Sequence, residues 1–302
     1  MKSLITLASL ALLSACGGGD SPPAPAPVQQ VAAPVARMFN SALRPTDLTL
    51  NCNTTTYTRV APIDESVSTE YGYENNSWGA WALYGGTPLT QPWSLCIKAD
   101  FSDANTVVAR MTWDTGNQSS PNTLYPEIVY GFKPQPIKNI STTFPKLTSS
   151  TASFDVKWNI EIDKDNSAGQ LLIESWLSHS ANVVSNHDGK VNAELAIAVD
   201  CWGNDGWCQL RGELVTIGGQ DYMYEGVQPL SEATVPGSAQ FIFFRSVKPQ
   251  LAGSIDMMQF INFLKSRDAI PNSLYIDSVE FGPEVNFGKG EARVNAFSVS
   301  VK

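Results

Sequence analysis

Apolar and polar residues alternate along much of this chain. Phe154, Val156, Trp158 and Ile160 are interleaved with Asp155, Lys157, Asn159 and Glu161. That period of two belongs to a strand with one buried and one polar face. Over residues 170–178, Leu171, Ile173 and Leu177 fall on one side, and Leu172, Glu174 and Trp176 on the other. The same reading gives strands over residues 107–113, 190–199, 212–217, 240–246, 278–281 and 292–301, with Asx, Gly and Pro clusters between them. One segment changes period. Ser254 is placed to cap a helix, Asp256 lies in its first turn, and Met257, Phe260, Ile261 and Leu264 recur at helical spacing before Pro271. Many short strands and one short helix predict an all-β sandwich or jelly roll, with the helix packed on the convex side.

Composition narrows the picture. Thirteen Phe, 8 Trp and 9 Tyr in 302 residues supply enough apolar bulk for a large core. A net charge of −9 argues against a nucleic-acid partner, which would need a surplus of Lys and Arg. With only two His, at 179 and 187, no metal centre is expected. No internal repeat and no second linker are evident, so residues 38–302 read as one domain, expected to be a monomer.

The first residues read as an address. Lys2 precedes an apolar run over residues 4–13, shorter than a membrane span, so residues 1–15 are expected to be a signal peptide. Leu13-Ser14-Ala15-Cys16 has the form of a lipobox, and Gly17-Gly18-Gly19 follows it. Acylation at Cys16 would tether the protein to a membrane without spanning it. Gly after the Cys is similar to bacterial lipoproteins of the outer membrane, which implies a cell-envelope location. Residues 16–37 contain five Pro among Ala, Val and Gln, and read as an extended tether.

Four further cysteines, 52, 96, 201 and 208, suit two disulfides in an exported protein. Three pairings are possible. Cys201 with Cys208 closes a short loop holding Trp202 and Trp207, and leaves Cys52 with Cys96.

Three clusters join aromatic rings to amides and acids: Asn75-Asn76-Ser77-Trp78-Gly79, Met111-Thr112-Trp113-Asp114, and Tyr125-Pro126-Glu127-Ile128-Val129-Tyr130-Gly131. Sugars present apolar C–H faces flanked by hydroxyls. Flat rings edged by Asn, Asp and Glu complement both features.

The order of motifs resembles glycoside hydrolase family 12, the endo-β-1,4-glucanases and xyloglucanases, over roughly residues 50–302. The resemblance rests on residues 256–264, on Tyr275 through Gly282-Pro283-Glu284, and on the closing Asn295-Ala296-Phe297-Ser298-Val299. It also rests on Asn75 to Gly79, Tyr125 to Ile128, Val215-Thr216-Ile217-Gly218-Gly219, and on Cys52 and Cys96, which fall where many members have a disulfide. It implies a concanavalin A-like jelly roll whose concave sheet forms an open cleft for a glucan chain. It further implies retaining endo-hydrolysis by two glutamates, with no cofactor. Glu284 falls on the family's acid/base position. Aligned on Trp176-Leu177 without a gap, Leu172 falls on the nucleophile position, and Glu174 lies two residues on, about 6.8 Å along the same face. Glu174 is therefore the expected nucleophile. Asp155 matches a family carboxylate that holds or tunes it, and Asn76, Trp78, Trp113, Glu127 and Trp176 are the expected substrate contacts. Residues 178–211 read as an insertion at the cleft rim. Fold does not fix function, so a non-catalytic glycan-binding lipoprotein on the same fold is the alternative.

Overall fold

A computed structural model describes residues 45–53, 58–60, 70–76, 93–103, 106–116, 124–131, 141–164, 167–183, 189–203, 206–230 and 239–302. The signal segment, Cys16, the tether, Trp78 and His187 lie outside the described residues. In chain order the strands are β1 (Asn51–Asn53), β2 (Thr58–Val60), β3 (Tyr71–Asn76), β4 (Ser94–Asp103), β5 (Thr106–Asp114), β6 (Tyr125–Gly131), β7 (Lys146–Leu147), β8 (Phe154–Ile162), β9 (Ser167–Ser178) and β10 (Val191–Trp202). There follow β11 (Glu213–Ile217), β12 (Gln220–Pro229), β13 (Gln240–Ser246), β14 (Ala252–Asp256), the helix α1 (Met257–Ser266), β15 (Tyr275–Ile276) and β16 (Ser278–Val301).

The strands form a jelly-roll sandwich of two sheets joined by β16. The larger sheet runs β2-β3-β6-β16-β9-β10-β13-β12-β11. The smaller runs β1-β4-β5-β16-β8-β14. Neighbours are antiparallel except β10 and β13. The first part of β16 pairs with β6 and β9, and the remainder with β5 and β8. Register shifts after Val285 and Val294 accompany this passage between sheets, the usual device by which one strand turns a sandwich corner. The alternation predicted two strands over 278–281 and 292–301; the chain runs through both as one.

The alternating apolar residues meet between the sheets. Leu171, Ile173 and Leu177 of β9 share one buried cluster with Met111 and Trp113 of β5, Val156 and Trp158 of β8, and Phe281 and Phe297 of β16. Phe281 and Phe297 lie in the two halves of β16 and stack with centroids 4.8 Å apart. The strand thus packs on itself across the sandwich. The larger sheet is wider, and its inner face beyond β10 needs cover. Helix α1 supplies it, presenting Phe260 edge-on to Tyr222 at 5.0 Å and to Phe244 at 5.2 Å. This is the side of the larger sheet away from its carboxylates.

Two local expectations are corrected. The helix cap is Asp256, not Ser254: its carboxylate accepts the Met258 N–H at 3.0 Å, while Ser254 pairs with Lys157 inside β14. Residues 178–211 are also not merely an insertion, since β10 pairs with both β9 and β13 within the larger sheet. Of the three pairings, the one that closes the short loop is formed: Cys52–Cys96 ties β1 to β4, and Cys201–Cys208 closes the loop after β10. Among the described residues no helix is long and apolar enough to cross a membrane.

Asp256 Oδ1 also accepts the Phe154 N–H at 2.9 Å, so one carboxylate starts the helix and holds the first residue of β8. Asp256→Ala is expected to lower stability by about 1–2 kcal/mol, read as a reduced urea midpoint at unchanged slope. An unaltered midpoint would contradict this role.

Candidate active site

Strand alternation sends one set of side chains out of the core onto the outer face of the larger sheet. With Leu171, Ile173 and Leu177 turned inward, β9 presents Gln170, Leu172, Glu174 and Trp176 outward. By the same rule β16 presents Glu280, Gly282 and Glu284, β6 presents Tyr125 and Glu127, β3 presents Glu74 and Asn76, and β13 presents Phe241, Phe243 and Arg245. The result is a floor with five buried glutamates at its centre.

Cross-strand register decides which of them meet. Glu174 stands directly opposite Glu280, whereas Glu284 stands opposite Gln170. One carboxylate oxygen from each of Glu127, Glu174 and Glu280 lies within 4.8 Å of the others. Gly282 makes this approach possible. A Cβ there would stand 2.1 Å from the Pro126 carbonyl oxygen and 3.1 Å from Glu127 Cα, so only a bare glycine lets β6 close on β16. Asn76 donates its side-chain N–H to Glu127 Oε1 at 3.1 Å, and Glu74 faces Glu127 across β3 and β6.

Four residues along β16 lies a separate polar network. Glu284 accepts the Gln170 amide at 2.8 Å, Arg245 donates to Gln170 Oε1 at 3.2 Å, and Arg245 reaches Glu225 at 3.4 Å. The Arg245 guanidinium also lies 4.8 Å from the Phe243 ring centre. Between this network and the three carboxylates runs an apolar patch of Tyr125, Leu172, Ala196, Ala198 and Phe243. Phe241 and Phe243 stack 5.6 Å apart along β13.

Tyr125 is buried, and its hydroxyl has no hydrogen-bond partner among the described residues. Burial, and then the negative charges of Glu174, Glu127, Glu280 and Glu284, push its phenol well above the ordinary tyrosine value. It therefore stays a neutral hydroxyl, a donor left over beside the acids.

The structure brings together Glu174, Glu127 and Asn76 of the expected site, with Glu284 on the same face but further along. It does not bring Asp155. That residue lies on β8 in the smaller sheet, opposite Asp256 and Ser300, and since Phe154 and Val156 fill the core it points away from the sandwich on the far side. Trp113 is likewise a core residue, with its ring over Gly290. Trp176 shares the outer face but is covered by Val183, Val191 and Ala239. Glu280, Gln170, Tyr125, Arg245 and the two Phe of β13 were not singled out from the sequence. Glu280 was accessible to it: counting back four from Glu284 keeps the same face of the strand.

No protein-family model matches the chain. Among curated proteins it is 25% identical over 245 residues to xyloglucan-specific endo-β-1,4-glucanase 1 of Phytophthora nicotianae, covering 79% of this chain and 89% of that protein. It is 25% identical over 232 residues to xyloglucan-specific endo-β-1,4-glucanase A of Emericella nidulans, covering 75% and 84%. Among solved structures, a family 12 xyloglucanase from Bacillus licheniformis superposes with a TM-score of 0.65 at 20% identity, over 84% of this chain and 100% of that one. Endoglucanase 3 of Trichoderma harzianum, from family GH12, gives 0.62 at 20% identity, over 84% and 98%. These structural likenesses fix the jelly-roll fold.

Tyr222 is also raised, to about 12, chiefly by burial. The folded protein therefore keeps protons on Tyr125 and Tyr222 that the unfolded chain releases near pH 10. Their contribution to stability is complete below pH 10 and is lost as pH rises toward the folded values. Absorbance at 295 nm should show neither phenol ionising with the ordinary tyrosines near pH 10. Tyr125→Phe and Tyr222→Phe should thus leave that part of the titration unchanged, and a lost component there would contradict the burial argument.

Proposed function

We propose that this chain is an endo-acting β-1,4-glucanase of the glycoside hydrolase family 12 type, with xyloglucan among its substrates. Hydrolysis runs with retention through two glutamates. The observation that carries this reading is the close approach of Glu174, Glu127 and Glu280 on one sheet face. A retaining pair needs carboxyl groups about 5–5.5 Å apart, whereas an inverting pair leaves about 6.5–9.5 Å for a water. The measured approach therefore favours a retaining pair over an inverting one.

Glu174 acts as nucleophile at the anomeric carbon. The acid/base comes from β16, which carries two glutamates on this face, Glu280 and Glu284. Phe241, partly exposed and stacked on Phe243, offers a ring to the C–H faces of the sugars. Asn76, Glu127 and the Gln170–Arg245 pair offer donors and acceptors to hydroxyls. No cofactor enters the scheme, because carboxylates supply both the nucleophile and the proton. The lipobox at Cys16 and the Pro-rich tether support a protein anchored in a bacterial envelope and acting on glucan outside its membrane.

The second reading, a glycan-binding lipoprotein without turnover, is favoured by one residue. Leu172, on the position where the family resemblance puts the nucleophile, is buried in the apolar patch opposite Gly282.

Reducing-end release from xyloglucan, barley β-glucan and carboxymethylcellulose tests the proposal. Turnover is expected, abolished by Glu174→Gln and unaffected by EDTA. Binding without turnover would replace the enzyme reading with the second one.

A further inference from the structure

We infer that Glu280, rather than Glu284, is the acid/base partner of Glu174, so that the cutting point lies over the β6–β16–β9 carboxylates. This rests on the glucanase reading above and assigns the chemistry within it.

Register is the first argument. Glu280 is the direct cross-strand neighbour of Glu174, and opposed side chains on one face of an antiparallel pair stand about 4.5–5.5 Å apart at Cβ. Glu284 is four residues further along β16, about 13 Å at strand rise. Side chains that stand roughly perpendicular to a sheet do not close such a gap. The carboxylate oxygens agree, since Glu174 approaches Glu280 and Glu127 within 4.8 Å.

Surroundings supply the second argument. Leu172 and its apolar neighbours lie between Glu174 and Glu284. Glu284 is already held by Gln170, which Arg245 holds in turn. That linkage suits a group that fixes a sugar hydroxyl. An amide N–H can only donate, so it serves the carboxylate alone, whereas the Ser278 hydroxyl that reaches Glu280 at 3.3 Å can donate or accept and serves both forms of a group that gives up and regains a proton. The Tyr125 hydroxyl, without a partner among the described residues, sits in the field of the glutamates, with Glu174 the strongest charge acting on it. It is a positioning donor for the sugar or for the nucleophile at that end of the floor.

The chemistry balances. A Glu174 oxygen bonds to the anomeric carbon as the glycosidic C–O bond breaks, and the Glu280 proton passes to the departing oxygen. Glu280, now a carboxylate, takes a proton from water. The water oxygen bonds to the anomeric carbon, the bond to Glu174 breaks, and both glutamates return to their starting states.

The experiment compares the parent protein with Glu280→Gln, Glu284→Gln and Glu174→Gln on two substrates. One is xyloglucan, whose leaving group needs a proton; the other is a dinitrophenyl β-cellobioside, whose leaving group does not. Glu280→Gln should lower kcat on xyloglucan by about 10²–10⁴-fold, act far better on the aryl glycoside, and be accelerated there by azide. Glu174→Gln should lose both substrates, and Glu284→Gln should act mainly through KM. Xyloglucan turnover by Glu280→Gln within about threefold of the parent, or azide rescue of Glu284→Gln instead, would overturn the assignment while leaving the glucanase reading intact. A parent that binds glucan without cutting it overturns both. If Glu280→Gln does not fold, the parent still decides. An N-bromoacetyl glycosylamine, with its reactive carbon at the leaving-oxygen position, should label Glu280, and labelling of Glu284 would contradict the proposal.

Discussion

Eight residue pairs hold β9 against β16, from Glu174 with Glu280 to Ser167 with Gly288, and this one ladder fixes where acids meet on the protein. A slip of one residue would turn every side chain of β9 to the opposite face, exchanging Leu171, Ile173 and Leu177 for Leu172, Glu174 and Trp176. The core forbids it, because the inward set fills the space between the sheets. The stack of Phe281 on Phe297 then fixes both halves of β16 relative to each other. Hydrophobic packing on one face of the strands thus sets carboxylate geometry on the other.

That geometry runs against stability. Burying acids costs free energy that hydrogen bonds must offset, and Glu74, Glu127, Glu174, Glu280 and Glu284 share one sheet face. Asn76 on Glu127, Ser278 on Glu280 and the Gln170–Arg245 pair beside Glu284 offset part of the cost. Violations of the folding rules that are concentrated in one place are characteristic of functional sites, and Gly282 belongs to the same pattern. A larger residue there would push β6 away and loosen the group.

Much of the fold was legible because period-two alternation is a direct record of which face is buried. The pattern over Phe154 to Ile160 and over Leu171 to Leu177 is reproduced in the core. Less legible was anything set by pairing between distant segments. Asp155 sits in a run that resembles a site strand, but β8 joins the smaller sheet, and sequence carries no mark of that choice. Trp113 has acidic and hydroxyl neighbours yet faces inward, since strand phase, not company, decides its side. The motif resemblance marks Glu284 and carries nothing that marks Glu280. The register that makes Glu280 the partner of Glu174 is a long-range property. The helix start was misplaced by two residues because Ser254 and Asp256 are both good caps, and only the β8–β14 pairing chooses between them.

The most direct test of the carboxylate spacing is the stereochemistry of the first product. Proton NMR recorded during early turnover of a xyloglucan oligosaccharide should show the β-anomer of the new reducing end before the α-anomer grows by mutarotation, because acids this close leave no room for a water between them and the sugar. Initial appearance of the α-anomer would mean inversion, and would contradict the account of Glu174 and its neighbour on β16.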